Sequence, residues 1–320
     1  MDLATEAQAA AVADVTEPQV EPAGDGLDIA VVIVNYNVRQ LLRDCLRSLQ
    51  ASTISSRCQV IVVDNYGGGS PDGSVDMVRN EFPHVWLIVN ARNEGFAGGN
   101  NRGLRAAGAA RYVMLLNPDT VVPPDGLQRM VDYMDAHPDV GVLGPKLVKG
   151  DGTLDLACRR SFPTPVVAFY HAFALDKLFP GSPHFARYNL TYLDEDQEAE
   201  IDCVVGAAML VRAEAMAQAG LLDEAFFMYG EDLDWAYRIR QAGWRVIYNP
   251  SVVILHYKGQ SSRQRSVRSI LAFYEAMVIF HRKHFAGRTF FVANWAIVFG
   301  IWLRCAIALG VNLAKPRLAA

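Results

Sequence analysis

The chain has 320 residues, of which 51% are hydrophobic and 20% charged, with a formal net charge of −4. That length carries one large α/β domain or two smaller ones with an ample core, and the slight acidity gives no general case for nucleic acid as a partner. Five scattered cysteines, Cys45, Cys58, Cys158, Cys203 and Cys305, form no C-x-x-C pair and no disulfide framework, which points to a reducing compartment and buried thiols.

Residues 1–27 lack aromatics, a basic start and a long apolar run, so a disordered or loosely attached leader is expected there. Ile29 to Val34 (IAVVIV) predicts a buried strand, and Leu41 to Leu49 a helix with Leu41, Leu42, Cys45, Leu46 and Leu49 on one face. Further strands are expected at 60–63, 85–89, 112–116 and 140–143, with helices at 100–110 and 127–134. Continuous apolar strands alternating with helices indicate an α/β fold with a mostly parallel sheet covered on both faces. The rhythm breaks from about 146 to 200, where Pro163, Pro165, Pro180 and Pro183 and the acidic run DEDQEAE suggest binding loops or a lid. Regular structure returns at 201–211, followed by helices at 213–219 and 231–241. Strands at 246–248 and 252–256 follow, then a long helix at 266–284.

Phe290 to Lys315 is apolar apart from Asn294, Arg304 and Asn312. Its length suits a bilayer core, while Arg304 within it costs a few kcal/mol on insertion scales. A spanning helix, an interfacial helix and a helix closing the core all fit. The stretch 258–288 before it carries Lys258, Arg263, Arg265, Arg268, Arg282, Lys283 and Arg288 against Glu275 alone. A basic segment beside an apolar one suits the anionic cytoplasmic leaflet of a membrane.

Polar residues cluster at the ends of the apolar strands: Asn35-Tyr36-Asn37, Asp64-Asn65 and Asn117-Pro118-Asp119. Ligands of open parallel sheets bind outside those carboxyl ends; each cluster alone is also an ordinary turn signal. Gly67-Gly68-Gly69 lacks the Lys-Ser/Thr of a P-loop, and the glycines of NEGFAGGNNRG do not have G-x-G-x-x-G spacing. NEGFAGGNN nevertheless leads into a helix whose backbone donors suit a phosphate.

The ordered set VVIVNYN, VVDN, RNEGFAGGNNRG, LLNPDT, VVGAAMLVR and GEDLDWAYRIRQAGW resembles the family 2 glycosyltransferases of the GT-A fold, especially their bacterial rhamnosyltransferase branch. The resemblance covers about residues 28–285, with a nucleotide-binding half to about 145 and an acceptor half beyond it; residues 286–320 would form the membrane-associating helix and tail. It implies a nucleotide-sugar donor near Asn35, Asn37, Asp64, Asn93 and Gly95, with Asp64 accepting from a pyrimidine N3–H. Asn117-Pro118-Asp119 stands where the family has D-x-D. By the same resemblance Asp119 and His256 would hold Mg²⁺ or Mn²⁺ against the diphosphate. The loop DNYGGGSPDGS is longer and richer in glycine than the family's D-N-x-S-x-D-G-S, so its nucleotide contacts stay open.

Glu231 and Asp232 follow Gly230 at the predicted start of a helix, where the dipole and free N–H groups favour negative charge. Phe226, Phe227, Tyr229 and Trp235 surround them, as sugar platforms or as core. By resemblance Asp232 is the general base, with Glu231 beside it in the acceptor pocket. Asp234 is spaced for a salt bridge to Arg238. Gly206, Ala207 and Ala208 would let the acceptor approach, and Arg159 and Arg160 would meet phosphate on it or close over the donor. His281 and His284 are expected on the surface. The implied activity is an inverting transfer of a sugar, L-rhamnose from dTDP-L-rhamnose foremost, to a polyprenyl-linked or cell-envelope glycan at the cytoplasmic face of a bacterial membrane. A catalytically silent nucleotide-sugar-binding module is the alternative. A sugar nucleotidyltransferase would want a basic, glycine-rich loop after the first strand, and VNYNVRQ has no glycine.

Overall fold

The computed structural model describes residues 14–16, 26–54, 57–257 and 267–314. In chain order the first half runs β1 (Asp14–Thr16), β2 (Ile29–Asn35), α1 (Arg39–Gln50), β3 (Cys58–Asp64), α2 (Ser74–Glu81), β4 (Trp86–Val89), α3 (Gly95–Ala106), β5 (Tyr112–Leu116), β6 (Thr120–Val121), α4 (Gly126–Ala136) and β7 (Val140–Val148). The second half continues with α5 (Pro165–Ala172), α6 (Leu175–Leu178), β8 (Ala199–Glu200), β9 (Ala208–Arg212), α7 (Ala213–Ala219), α8 (Glu231–Gln241), β10 (Arg245–His256), α9 (Val267–His284) and α10 (Phe291–Ala314).

One sheet carries the strands in the order β1-β4-β3-β2-β5-β9-β7-β10-β6, with β8 also on β10. Every residue of β2 is buried, the signature of a strand covered on both faces. β4, β3, β2 and β5 are parallel. Their register sets Asn35 beside Asp64 at the carboxyl ends. The parallel expectation holds for this half and for the β7–β10 pair, and fails at β9. β9 runs antiparallel to both β5 and β7, while β10 is again parallel to β7. The irregular stretch before β9 is no βαβ crossover, so nothing in the connection forces a parallel direction. β1 pairs with β4, so the expected loose leader supplies an edge strand.

Local differences from the sequence expectation have specific causes. Within the regular stretch expected at 201–211, the strand is Ala208–Arg212. The two strands expected at 246–248 and 252–256 are one, β10, whose pairing with β7 is irregular between Asn249 and Val253 around Pro250, which has no N–H to give a ladder. α2 escaped the periodicity; Asp72 Oδ1 accepts from the Ser74 N–H (3.0 Å) and hydroxyl (2.6 Å) and starts it. α3 begins at Gly95 rather than 100, because its glycines let it lie directly on the sheet: a Cβ on Gly103 would stand 2.3 Å from Val32 Cγ1. α9 packs on α8 through Gly230 and Ala276, and α10 packs on α9.

Candidate active site

At the ends of β2 and β3, Asp64 Oδ2 accepts from Asn35 Nδ2 (2.8 Å) and the Ser70 hydroxyl (2.6 Å). Ser70 Oγ also accepts from the Asn37 N–H (3.2 Å). Asn35 and Asp64 are buried, and among the described residues Asp64 Oδ1 and Asn35 Oδ1 have no hydrogen-bond partner. A buried carboxylate oxygen without a donor is costly, so this corner suits a ligand that brings an N–H. Above it the rings of Tyr36 and Tyr66, both exposed, lie 5.2 Å apart. Ser70 belongs to the glycine-rich loop whose contacts the sequence left open.

Asn65 fastens the next loop. Its Nδ2 donates to the Gly95 carbonyl (2.7 Å), and its Oδ1 accepts from Asn90 Nδ2 (2.8 Å) and the Glu94 N–H (3.1 Å). Asn93 Oδ1 accepts from the Gly95 N–H (2.9 Å), and the Phe227 carbonyl from the Phe96 N–H (2.7 Å). The first two donors of α3 are therefore used within the protein rather than offered to a phosphate. Gly95 has φ +76, and a Cβ there would meet the Phe227 carbonyl oxygen at 2.3 Å. Only glycine brings this loop against the segment that leads to Glu231.

Beyond β5, the Asn117 N–H donates to the Ala207 carbonyl (2.9 Å), and the Tyr257 N–H to the Asp119 carbonyl (2.8 Å). The second contact draws the end of β10 to Asp119, and His256 Nε2 lies 3.3 Å from Asp119 Oδ1. His256 Nδ1 donates to Asp155 Oδ2 at 3.0 Å. Burial opposes the imidazolium, but hydrogen bonds to the two carboxylates outweigh it and hold His256 up at about 9. Two side chains this close would suit one divalent ion, which would displace the Nε2 proton of His256 on binding. Asp155 on the far nitrogen is the usual support of a ligating imidazole. Among the described residues no three His, Cys, Asp or Glu side chains form a closed metal cage. Asp119 and His256 would therefore supply two protein ligands to such an ion rather than a full set.

Asp232 sits in the first turn of α8, behind Gly230 at φ +80. Its Oδ2 accepts from Arg160 Nη2 (2.6 Å) and the Gly206 N–H (3.0 Å), and its Oδ1 from the Leu233 N–H (2.8 Å). Gly206 precedes Ala207, whose carbonyl holds Asn117, so two hydrogen bonds and one peptide link join Asp232 to the Asn117-Pro118-Asp119 turn. Glu231 is buried beside it with Oε2 unpartnered among the described residues. Burial first, and the neighbouring Asp232 charge second, push Glu231 from 4.5 to about 8. At neutral pH Glu231 therefore holds its proton. Asp234 is fully buried and takes Arg238 (2.8 Å), as its spacing predicts, together with Lys283 (2.8 Å) and His284 (2.7 Å) from α9. These partners outweigh burial and hold it at about 2.

Several expected positions change. Trp235 is fully buried with its indole N–H on the Gly220 carbonyl (2.7 Å), and Phe226 is 1% exposed; both are core rather than sugar platforms, since the helix that presents the acids must also bury a face. Arg159 is 2% exposed and donates to the Asp194 and Leu193 carbonyls (2.7 and 2.9 Å), fixing a loop instead of facing an acceptor. Gly206 and Ala207 are buried and act through their backbones. His281 and His284 are not on the surface: His281 Nε2 meets Asn294 Oδ1 (2.8 Å) and His284 meets Asp234. Periodicity gave no sign of Ser70, Asp155 or the Arg160–Asp232 pair, whose members are distant in the chain.

The profile of Glycosyl transferase family 2 matches residues 30–215. The N-acetylglucosaminyl-diphospho-decaprenol L-rhamnosyltransferase of Mycobacterium tuberculosis is 28% identical over 299 residues, 90% of this chain and 95% of that protein. The low-salt glycan biosynthesis hexosyltransferase Agl10 of Haloferax volcanii is 26% identical over 67% of this chain and 62% of its own length. Among solved structures, GalNAc-T7 with UDP, GalNAc and Mn²⁺ superposes at TM-score 0.55 and S. aureus TarS at 0.51, each 15% identical over 80% of this chain. The chain spans 48% and 39% of those larger proteins, and the likeness is one of GT-A fold. Profile, relatives and fold agree, and the chain belongs to glycosyltransferase family 2 and is a rhamnosyltransferase-like transferase.

Proposed function

We propose that the protein transfers L-rhamnose, with inversion, from dTDP-L-rhamnose to a hydroxyl of a polyprenyl-diphosphate-linked sugar. The observation that carries the mechanism is the link between Asp232 and the Asn117-Pro118-Asp119 turn through Gly206 and Ala207. It supports a proton acceptor and a diphosphate site within one cleft. The nucleotide base enters at Asn35 and Asp64, where the unpartnered carboxylate oxygen accepts the pyrimidine N3–H. Asn37, Asn93 and Gly95 border the nucleotide and sugar. Asp119 and His256 would hold Mg²⁺ or Mn²⁺, which neutralises charge on the departing diphosphate.

Asp232 takes the proton of the acceptor hydroxyl as that oxygen attacks the anomeric carbon from the face opposite the nucleotide. Arg160 and Gly206 hold Oδ2, which leaves a lone pair of Oδ1 for the proton. Protonated Glu231 is suited to donate a hydrogen bond to the acceptor rather than to act as the base.

The donor and acceptor classes rest on the mycobacterial relative's name. Attachment to a membrane rests on α10: an 18-residue window within Phe291–Leu313 has mean hydropathy 1.9 with 6% of its residues buried, long and apolar enough to cross a bilayer. Arg304 of α10 donates to the Ala172 carbonyl at the end of α5. This sets the exposed Phe169 and Phe173 of α5 and its following turn close to the apolar helix. The test is nucleotide release and product formation with purified protein across a panel of nucleotide sugars, with Mn²⁺ or Mg²⁺. dTDP-L-rhamnose should be preferred, and Asp232→Asn should bind donor but not turn over; a variant that retains full turnover removes Asp232 as the base.

A further inference from the structure

A cavity of about 340 Å³ lies between α9 and α10, lined by Ile270, Phe273, Ala308 and Val311, with Ser269, Tyr274 and Asn312 as polar members. That is within the range of ligand sites, about 300–1,000 Å³. One end is Tyr229, next to Gly230 and the two acids of α8. The Tyr229 ring meets the Phe273 ring edge-on at 5.7 Å. One wall is α10, the apolar helix whose outer face exposes Trp295, Phe299 and Ile307. Beside the cavity, Arg268 is exposed and its guanidinium lies 4.6 Å from the Phe227 ring, and the Phe227 carbonyl anchors the start of α3. Tyr229 thus joins the cavity to the segment that carries Glu231 and Asp232, and α10 joins it to an exposed apolar face.

We infer that this groove binds the first isoprenoid units of a polyprenyl diphosphate acceptor, with Arg268 meeting the diphosphate, so that the lipid passes along α10 while its sugar faces Asp232. The inference rests on the lipid-linked acceptor proposed above. A soluble glycan needs no apolar channel, whereas a polyisoprenyl chain needs one that opens beside the bilayer-facing helix. Burial of a few isoprenoid units removes enough apolar surface from water to set affinity.

The test uses full-length protein in detergent micelles with a photoreactive polyprenyl diphosphate that carries no sugar, alongside transfer assays on a long-chain and a short-chain sugar-diphosphate acceptor. Labelling should fall on peptides from 267–284 and 291–314 and be competed by unlabelled polyprenyl diphosphate. Ala308→Trp, which fills the groove, should cut labelling at least tenfold and raise KM for the long-chain acceptor about tenfold, with the short-chain acceptor unaffected. Phe273→Asp, on a half-exposed ring, should act in the same direction; Trp295→Ala, which does not line the groove, should leave labelling unchanged. Labelling elsewhere, or the same KM change for both acceptors, overturns the groove. Transfer to the short-chain acceptor without any groove labelling overturns the groove alone. No transfer to either lipid-linked acceptor overturns the acceptor proposal and the groove's role with it.

Discussion

The replacement Glu231→Gln separates the two adjacent acids. Glu231 is 6% exposed, and burial together with the Asp232 charge raises it from 4.5 to about 8. At about 1.36 kcal/mol per pKa unit, the shift corresponds to a penalty on the order of 5 kcal/mol for ionising Glu231 in the folded chain. The sign follows from linkage: the folded state binds this proton more tightly than the unfolded state. Its contribution is complete below the unfolded pKa of 4.5, declines as pH rises, and is lost above about 8. Glutamine keeps the shape and cannot ionise. Thermal unfolding of both proteins from pH 5 to 9 should therefore give curves that diverge, with Glu231→Gln ahead at alkaline pH by as much as about 10 °C at roughly 2 °C per kcal/mol. At pH 7 the variant should keep kcat within about tenfold, whereas Asp232→Asn should lose about 10²–10⁴, the usual worth of a general base. Parallel unfolding curves would refute the burial argument, and equal losses of kcat would refute the division of roles.

Arg160→Ala should cost about 3–5 kcal/mol in chemical denaturation, because it strands the buried Asp232 carboxylate; adding Asp232→Ala should recover part of that, and strict additivity would deny the coupling. Gly95→Ala should prevent proper folding or lower Tm sharply, since its Cβ would overlap the Phe227 carbonyl, while Gly68→Ala, at a similar φ of +78 but in open space, should cost only about 1 kcal/mol of backbone strain. Comparable Tm values for the two would show that packing at Gly95 is not the constraint. Asp155→Ala should weaken Mn²⁺ binding about 10–100-fold by releasing the His256 ring; an unchanged Mn²⁺ titration would take His256 out of the metal pair.

The sequence by itself determined the parts whose signal is local. The all-apolar strand Ile29–Asn35, the helix Glu231–Gln241 after its glycine, and the long apolar helix at the C-terminal end are written in runs and periods of single residues. The ordered motifs determined the family and the polar strand ends that form the cleft. Tertiary structure decided what depends on residues far apart in the chain. Trp235 looks like a sugar platform in the sequence, yet the side of α8 on which it falls is packed into the core. Arg159 and Arg160 are neighbours with equivalent chemistry, but extended backbone at Arg159 sends them in different directions, one to loop carbonyls and the other to Asp232. Asp155 and Ser70 acquire their roles only through contacts to residues brought in by other elements. Local pattern records whether a side chain is apolar and at what period it recurs; which polar group meets which across the sheet is set by register and packing, and a charge finds its partner only when the chain between them has folded.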